Sequence, residues 1–307
     1  MQLVCVGHAS VDHHFEIEAF DPRPTKTPAS SYRMIAGGMA ANAAVAAAKL
    51  GAPVRLLGRV GDDAAGHFLR LEIAALGVEQ HLEIVKGCNT SVSSVVVDAQ
   101  GERQIFNHRG NALEHAHPLD VAQLAGATAL LVDPRWGDGA AAALTWARQQ
   151  HIVAVLDADI APRHVLERLV PLAQWAVFSE RGLACYAPEA SHKEALGMAR
   201  AAGANFAMVT LGERGVRWMQ GDFMEQMKGF EVQALDTTGA GDVFHSAFTL
   251  ALAGWGQGAV AQAHAAAHEP ILFAIRLACA AAAIKCTRRH GVLGAPSLQE
   301  VLAFMQK

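Results

Sequence analysis

The chain has 307 residues, 52% hydrophobic and 18% charged, with a formal net charge of −4. This balance excludes a disordered chain, and the acidic sign without any basic block excludes a protein that neutralises a row of nucleic-acid phosphates. The length exceeds one ordinary core, so one large α/β domain, alone or with a smaller appendage, is expected.

Met1–Gly7 is a short apolar run without a charged leader; it reads as a buried first strand, not a signal peptide. In chain order, Leu3–Gly7, Val54–Arg59, Ala129–Val132, Val153–Asp157, Ala176–Phe178 and Ala207–Thr210 are predicted strands. Asn42–Leu50, Ala64–Leu76, Ala140–Gln150, Pro162–Leu172 and Glu194–Ala202 are predicted helices between them. The alternation implies a mostly parallel sheet covered by helices on both faces. Beyond Asp242 the pattern turns helical, with Val243–Leu252, Ala259–His268, Ile271–Cys286 and Leu298–Met305 as candidates. The most apolar long segment, Ile271 to Ile284, contains Arg276 and is too short to cross a bilayer.

Two regions break the alternation. His14–Ala19 with Ser31–Ile35, and Leu82–Val85 with Val92–Val97 and Gln104–Asn107, read as strands joined by turns, which predicts a small separate sheet. Cys5, Cys88, Cys185, Cys279 and Cys286 are scattered and lack a CxxC pair, as reduced cytosolic thiols do. A soluble cytoplasmic protein with no membrane partner is expected.

The segment Asp236-Thr237-Thr238-Gly239-Ala240-Gly241-Asp242-Val243-Phe244 sets small residues directly before an acid and a helical pattern. Small residues let the backbone approach a ligand, and the free N–H groups of the next helical turn suit a phosphate. Asp242 could take the proton of an attacking hydroxyl while those N–H groups stabilise the transferred oxygens. The competing reading is a tight turn whose acid only complements the helix dipole. Neither the Rossmann fingerprint nor the Walker loop is matched.

The phrase DTTGAGDVFHSAF resembles the C-terminal signature of the ribokinase-like sugar kinases, the phosphofructokinase B family. Gly37-Gly38-Met39-Ala40-Ala41-Asn42, opening an alanine-rich helix that runs to Gly51, resembles that family's N-terminal signature. The resemblance covers essentially the whole chain. It implies an α/β, ribokinase-like fold: a mostly parallel sheet with helices on both faces plus a small β-sheet lid. The large domain would comprise 1–12, 36–80 and 109–307, and the lid 13–35 and 81–108. The lid would cover the sugar and form a homodimer interface.

The same resemblance implies an ATP-dependent sugar kinase that phosphorylates a primary hydroxyl. Asp242 would be the general base, with Gly239, Ala240 and Gly241 forming the anion hole. Asp12, Gly37, Gly38 and Asn42 would contact sugar. Taken alone, Asp12 also reads as a loop acid and Asn42 as a helix residue satisfying local backbone groups. Thr210-Leu211-Gly212-Glu213-Arg214-Gly215-Val216 looks like the nucleotide loop, with Thr210, Gly212 and Gly215 near ATP; a plain hairpin is the alternative. Ala283–Gly291 resembles the wall of the adenine pocket.

The family's Asn-x-x-Glu motif is absent, since Ser179-Glu180-Arg181-Gly182 stands there. Magnesium is still expected, because the triphosphate must be neutralised, but its protein ligands are unknown. A monovalent cation is a further candidate cofactor. Phrases such as Val132-Asp133-Pro134-Arg135-Trp136 look like the sulfofructose kinase branch, and Lys26, Asn107 and Arg135 match its anion pocket. In the competing reading, Arg135 pairs with Asp133 or Asp138, and Lys26 is a solvated loop lysine. A nucleoside kinase and a catalytically silent ligand-binding protein on the same fold are the alternative functions. His264 and His268, four apart on a predicted helix, lack a third metal ligand.

Overall fold

The computed structural model describes residues 1–21, 23, 25–115, 117–255 and 270–306. The expected helix Ala259–His268, with His264 and His268, lies outside the described residues. The first strand, β1 (Leu3–Gly7), is buried at every position. It alternates between two cores: Leu3 and Cys5 face one cluster, Val4 and Val6 the other. A strand covered on both sides needs apolar residues at each position, which is why this run shows no polar alternation.

Around β1 lie β4 (Val54–Gly61), β5 (Glu79–Val85), β8 (Ala129–Val132), β9 (Val153–Ala158), β10 (Trp175–Ser179), β11 (Phe206–Thr210), β12 (Val216–Gln220) and β13 (Phe223–Met227). They form a nine-stranded sheet in the order β13-β12-β11-β10-β9-β8-β1-β4-β5. All neighbours are parallel except β11–β12 and β12–β13. One face carries α1 (Met39–Lys49), α7 (Ala240–Leu252) and α8 (Pro270–Cys286), packed through α1's buried alanines. The other carries α3 (Gly137–Gln150), α4 (Arg163–Leu169) and α6 (His192–Ala202). Three further helices complete this numbering among the described residues: α2 (Ala64–Ala75) between β4 and β5, α5 (Glu180–Tyr186) after β10, and α9 (Leu298–Met305) near the C-terminus.

A separate four-stranded sheet holds β2 (Ser10–Ile17), β3 (Ala29–Gly37), β6 (Ser91–Val97) and β7 (Arg103–His108), in the order β3-β2-β6-β7. The lid expectation needs one correction. Leu82–Val85 belongs to β5, which pairs in parallel with β4 from Arg55↔Glu79 to Gly61↔Val85 at the edge of the large sheet. The crossover helix α2 carries the chain from β4 to that edge, as parallel pairing requires. At the other boundary β2 begins at Ser10, so Asp12 sits within the lid sheet.

Register sorts the lid's faces. Ile35, Asp12, Ser93 and Asn107 form one row across the four strands, and Met34, His13, Ser94 and Phe106 form the next, on the opposite face. The first row is polar at its centre. The second face leaves Tyr32, Met34 and Phe106 exposed at 54%, 37% and 60%.

Candidate active site

Gly239 adopts a left-handed conformation, φ 76°, and caps the N-terminus of α7. That conformation suits glycine and turns the chain into the helix at the expected place. The N–H groups of Gly241 and Asp242 lie in the first turn, where no intrahelical acceptor exists. Gly241 is exposed with no heavy atom near its would-be Cβ. The turn is braced from below. Asp236 accepts from the N–H groups of Thr238 and Gly291, both at 2.9 Å. The fully buried Lys285 donates to the Asp236 carbonyl at 2.6 Å and lies 3.4 Å from its carboxylate. Despite partial burial, these donors hold the Asp236 carboxyl down at about 2.

Asp242 is the third residue of α7, half-buried at the cleft mouth. Its Oδ2 accepts from Asn42 Nδ2 at 2.8 Å. Crowding by protein atoms, and then the nearby Asp157 carboxyl, push Asp242 up to about 8, against the Asn42 hydrogen bond. Behind it His245 Nδ1 donates to Gly241 O at 2.7 Å, while its Nε2 lies 3.3 Å from Asp157 Oδ1. Burial, reinforced by Asp159 and Asp133, raises Asp157 well above the usual carboxylate range, and burial alone lowers His245 against the carbonyls and carboxylates around it. Nε2 lies between Asp157 Oδ1 and the Val177 carbonyl oxygen, each at 3.3 Å, so the ring is held at both nitrogens. His245 thereby fixes the Gly241 carbonyl.

The opposite wall is the glycine pair. A Cβ on Gly37 would lie 2.2 Å from Asp12 Oδ2, so the Asp12 carboxylate rests against that backbone. Gly38, at φ 95°, approaches Ala9 Cα and His8 O so closely that a Cβ would stand 2.7 Å from each. Ser10 Oγ donates to Asp12 at 3.2 Å, and burial raises the Asp12 carboxyl against a further bond from Ser93. Beside it, Asn107 Nδ2 donates to Ser93 Oγ at 3.0 Å. Asp133, at the end of β8, ties this wall together by accepting from the N–H groups of His8, Ala40 and Arg135 at 2.7, 3.0 and 2.8 Å. Burial nevertheless lifts it to about 6.

Arg135 does not pair as the competing reading supposed. Asp138 is held by Arg168 at 2.6 Å, and Asp133 meets Arg135 only through its backbone N–H. Lys26 is exposed in the β2–β3 connection. Among the described residues, no hydrogen bond or ion pair joins Lys26, Asn107 and Arg135. In the expected nucleotide loop, Thr210 Oγ1 donates to Phe178 O at 3.3 Å. Gly212, at φ 61°, faces open space, while a Cβ on Gly215 would meet Met227 O at 2.0 Å. Gly215 is thus packed against the strand end at Met227, and Gly212 is exposed. Glu180 is taken by Arg214, at 2.7 and 2.8 Å, and Ser179 donates to Asp159 at 2.6 Å.

Sequence reasoning missed four residues that build this site: Asp133, Asp236, Lys285 and His245. Asp133 and Asp236 stand inside quoted motifs, yet only tertiary contact reveals their role. Lys285, a lysine near the end of a helix that is apolar apart from it and Arg276, was the one visible signal.

A helix mouth carrying an acid, faced by a glycine pair under a β-sheet lid, places the chain among phosphotransferases acting on alcohols. It belongs to the pfkB family of carbohydrate kinases, whose profile matches residues 1–298. The chain is 29% identical to a ribokinase of Haemophilus influenzae, over 99% of this chain and 98% of that one. It is 26% identical to a probable fructokinase-2 of Arabidopsis thaliana, over 90% and 88%. Among solved structures, a ribokinase candidate from Agrobacterium tumefaciens superposes with a TM-score of 0.89 at 31% identity, covering 99% and 97% of the chains. Arabidopsis thaliana ribokinase complexed with ribose and ATP shares the fold, with a TM-score of 0.78 at 24% identity and 99% and 98% coverage. Among the described residues no helix is long and apolar enough to cross a membrane.

Proposed function

We propose that the protein transfers the γ-phosphoryl group of ATP to a primary hydroxyl of a monosaccharide, a ketose such as fructose or sulfofructose, or ribose. The observation that carries this reading is Asp242, set at the mouth of α7 beside unbonded N–H groups and opposite Asn42. In the reaction, Asp242 accepts the proton of the attacking hydroxyl. The N–H groups around Gly239–Asp242 receive the moving phosphoryl oxygens. Its raised pKa makes the Asp242 carboxylate a stronger base than an exposed one, provided it is ionised when the alcohol arrives.

Asp12 and Asn107, brought into one lid row with Ser93, supply polar partners for several hydroxyls. That lining supports a sugar over a nucleoside, whose base needs an apolar or aromatic wall. Arg135, which has no side-chain ion pair among the described residues, supports an acceptor with a terminal anion. Magnesium supplies neutralisation of the triphosphate when bound. Glu180 is occupied by Arg214, so the fit favours a metal held chiefly by phosphate oxygens and water. Closure of the lid would exclude water, the competing acceptor.

The deciding experiment is ADP release with ATP and a panel of ketoses, aldoses, sulfosugars and nucleosides. Turnover with a sugar and not with nucleosides supports the reading. Turnover with nucleosides alone, or with nothing in the panel, overturns it.

A further inference from the structure

The glycine turn that opens α7 stands on a charged group sealed from solvent. Lys285, in the last turn of α8, is fully buried and is the one charged residue among that helix's buried positions. Its Nζ donates to Asp236 O at 2.6 Å and lies 3.4 Å from Asp236 Oδ2. The chain before the turn is docked on the end of the same helix, since the N–H groups of Leu235 and Asp236 both donate to Cys286 O, at 2.8 and 3.1 Å. From the other side the lid residue Arg103, on β7, donates to Thr238 Oγ1 at 2.6 Å and Thr237 Oγ1 at 2.7 Å, and pairs with Asp236 Oδ1 at 3.9 Å. Asp236 is thus an anion between two cations, one partly exposed at the rim of the cleft and one in the interior.

Carbonyl oxygens at a helix C-terminus carry partial negative charge, and the Asp236 carboxylate, held at about 2 and so ionised at neutral pH, adds a full one. Oxygens of this kind are what a dissolved cation seeks as ligands. Here the chain's own side chain has taken them. An ammonium group offers donors only and carries one positive charge, so it can stand in the place of a monovalent ion. Being tethered, it is present at every salt concentration, whereas an ion from solution is present only as its affinity allows. Its charge offsets a carboxylate that would otherwise repel a triphosphate arriving above it. Burial lowers the pKa of Lys285, and the Asp236 carboxylate works against that shift.

We propose that Lys285 is the resident monovalent cation of the kinase site: its ammonium holds Asp236, and through it the turn at 237–239, so that the protein needs no dissolved monovalent cation. The monovalent cofactor considered from the sequence does not fit this position, because its oxygen ligands are already bonded to Lys285. Shut off from the cleft, Lys285 acts through the turn as a positioning residue. This inference rests on the ATP-dependent kinase reading above.

The test measures Tm, and ADP release with an accepted sugar, in the chlorides of potassium, ammonium and tetramethylammonium at matched ionic strength, for wild type, Lys285→Ala and Lys285→Gln. Wild type is expected to keep one Tm, and kcat within about twofold, whichever salt is present, as a protein without a site for the ion must. In tetramethylammonium, Lys285→Ala is expected to lose Tm and at least about tenfold in kcat, the cost of a charged hydrogen bond. Potassium or ammonium should restore both with a saturating dependence, as a ligand of the folded state does. Lys285→Gln keeps a donor for the Asp236 carbonyl but no charge; a loss of about tenfold in kcat is expected, and it decides the matter if the alanine variant does not fold. Activation or stabilisation of wild type by potassium, an alanine variant that neither cation rescues, or a glutamine variant with kcat within about threefold of wild type would overturn the proposal and leave Lys285 a structural donor. Should wild type turn over no sugar, the kinase reading fails by itself, while the cation dependence of Tm in wild type and Lys285→Ala still decides Lys285.

Discussion

Asn42 Nδ2 donates to Asp242 Oδ2 at 2.8 Å across 200 residues of sequence, so the two glycine-rich signature segments meet at one hydrogen bond. The bond favours the charged carboxylate against the burial that opposes it.

In the proposed reaction Asp242 serves as base only when ionised, so kcat/KM should rise with pH through about 8. Asn42→Leu removes the donor and should move that rise to higher pH. A hydrogen bond to a charged group is worth about 1.5 kcal/mol or more, so the rate at pH 7 should drop about tenfold. The pH profile of kcat/KM for both proteins checks this.

Asp242→Asn should lower kcat by about 10² to 10⁴, the usual contribution of a positioned base. Its effect on stability has the opposite sense. A carboxyl raised in the fold contributes stability fully below its unfolded value and loses it as pH rises through about 8. The variant should therefore equal or exceed wild type in Tm above pH 8, measured by thermal unfolding across pH.

Gly37→Ala would set a Cβ 2.2 Å from Asp12 Oδ2 and force that carboxylate off the glycine wall. Sugar KM should rise about tenfold or more, the cost of a lost charged hydrogen bond, while ATP KM stays unchanged. Steady-state kinetics in both substrates separate the two.

Lys285→Met strips the buried donor from Asp236 O and should cost about 1–3 kcal/mol of stability at neutral pH. Asp236 is depressed, so its contribution is present above the ordinary carboxylate value and is lost as pH falls through about 2. The gap in Tm between the two proteins should narrow in that acid range.

Phe106 is exposed at 60% on the lid face turned away from the cleft, in one row with Met34. If that face joins two copies of the chain, wild type should sediment as a dimer and Phe106→Glu as a monomer.

Much of the fold was legible because its signals are local. The two-sided burial of β1, the alanines of α1 and the Gly239 turn each write their cause into adjacent residues. The placement of β5 was not legible. Leu82–Val85 has the same composition whether it joins the lid or follows α2 to the edge of the large sheet, and only pairing with β4 decides between them.

The residues alone determined the alternating α/β order and the glycine turn that opens α7 with an acid in its first turn, since helix entry, glycine conformation and apolar periodicity act over a few neighbours. Tertiary structure decided which distant groups converge: Asn42 on Asp242, Asp133 on the glycine wall, Lys285 under Asp236, Arg103 on the threonines. Those contacts depend on how the lid and the sheet are set in space, and hydrogen bonds between residues so far apart leave no periodicity in the chain to read.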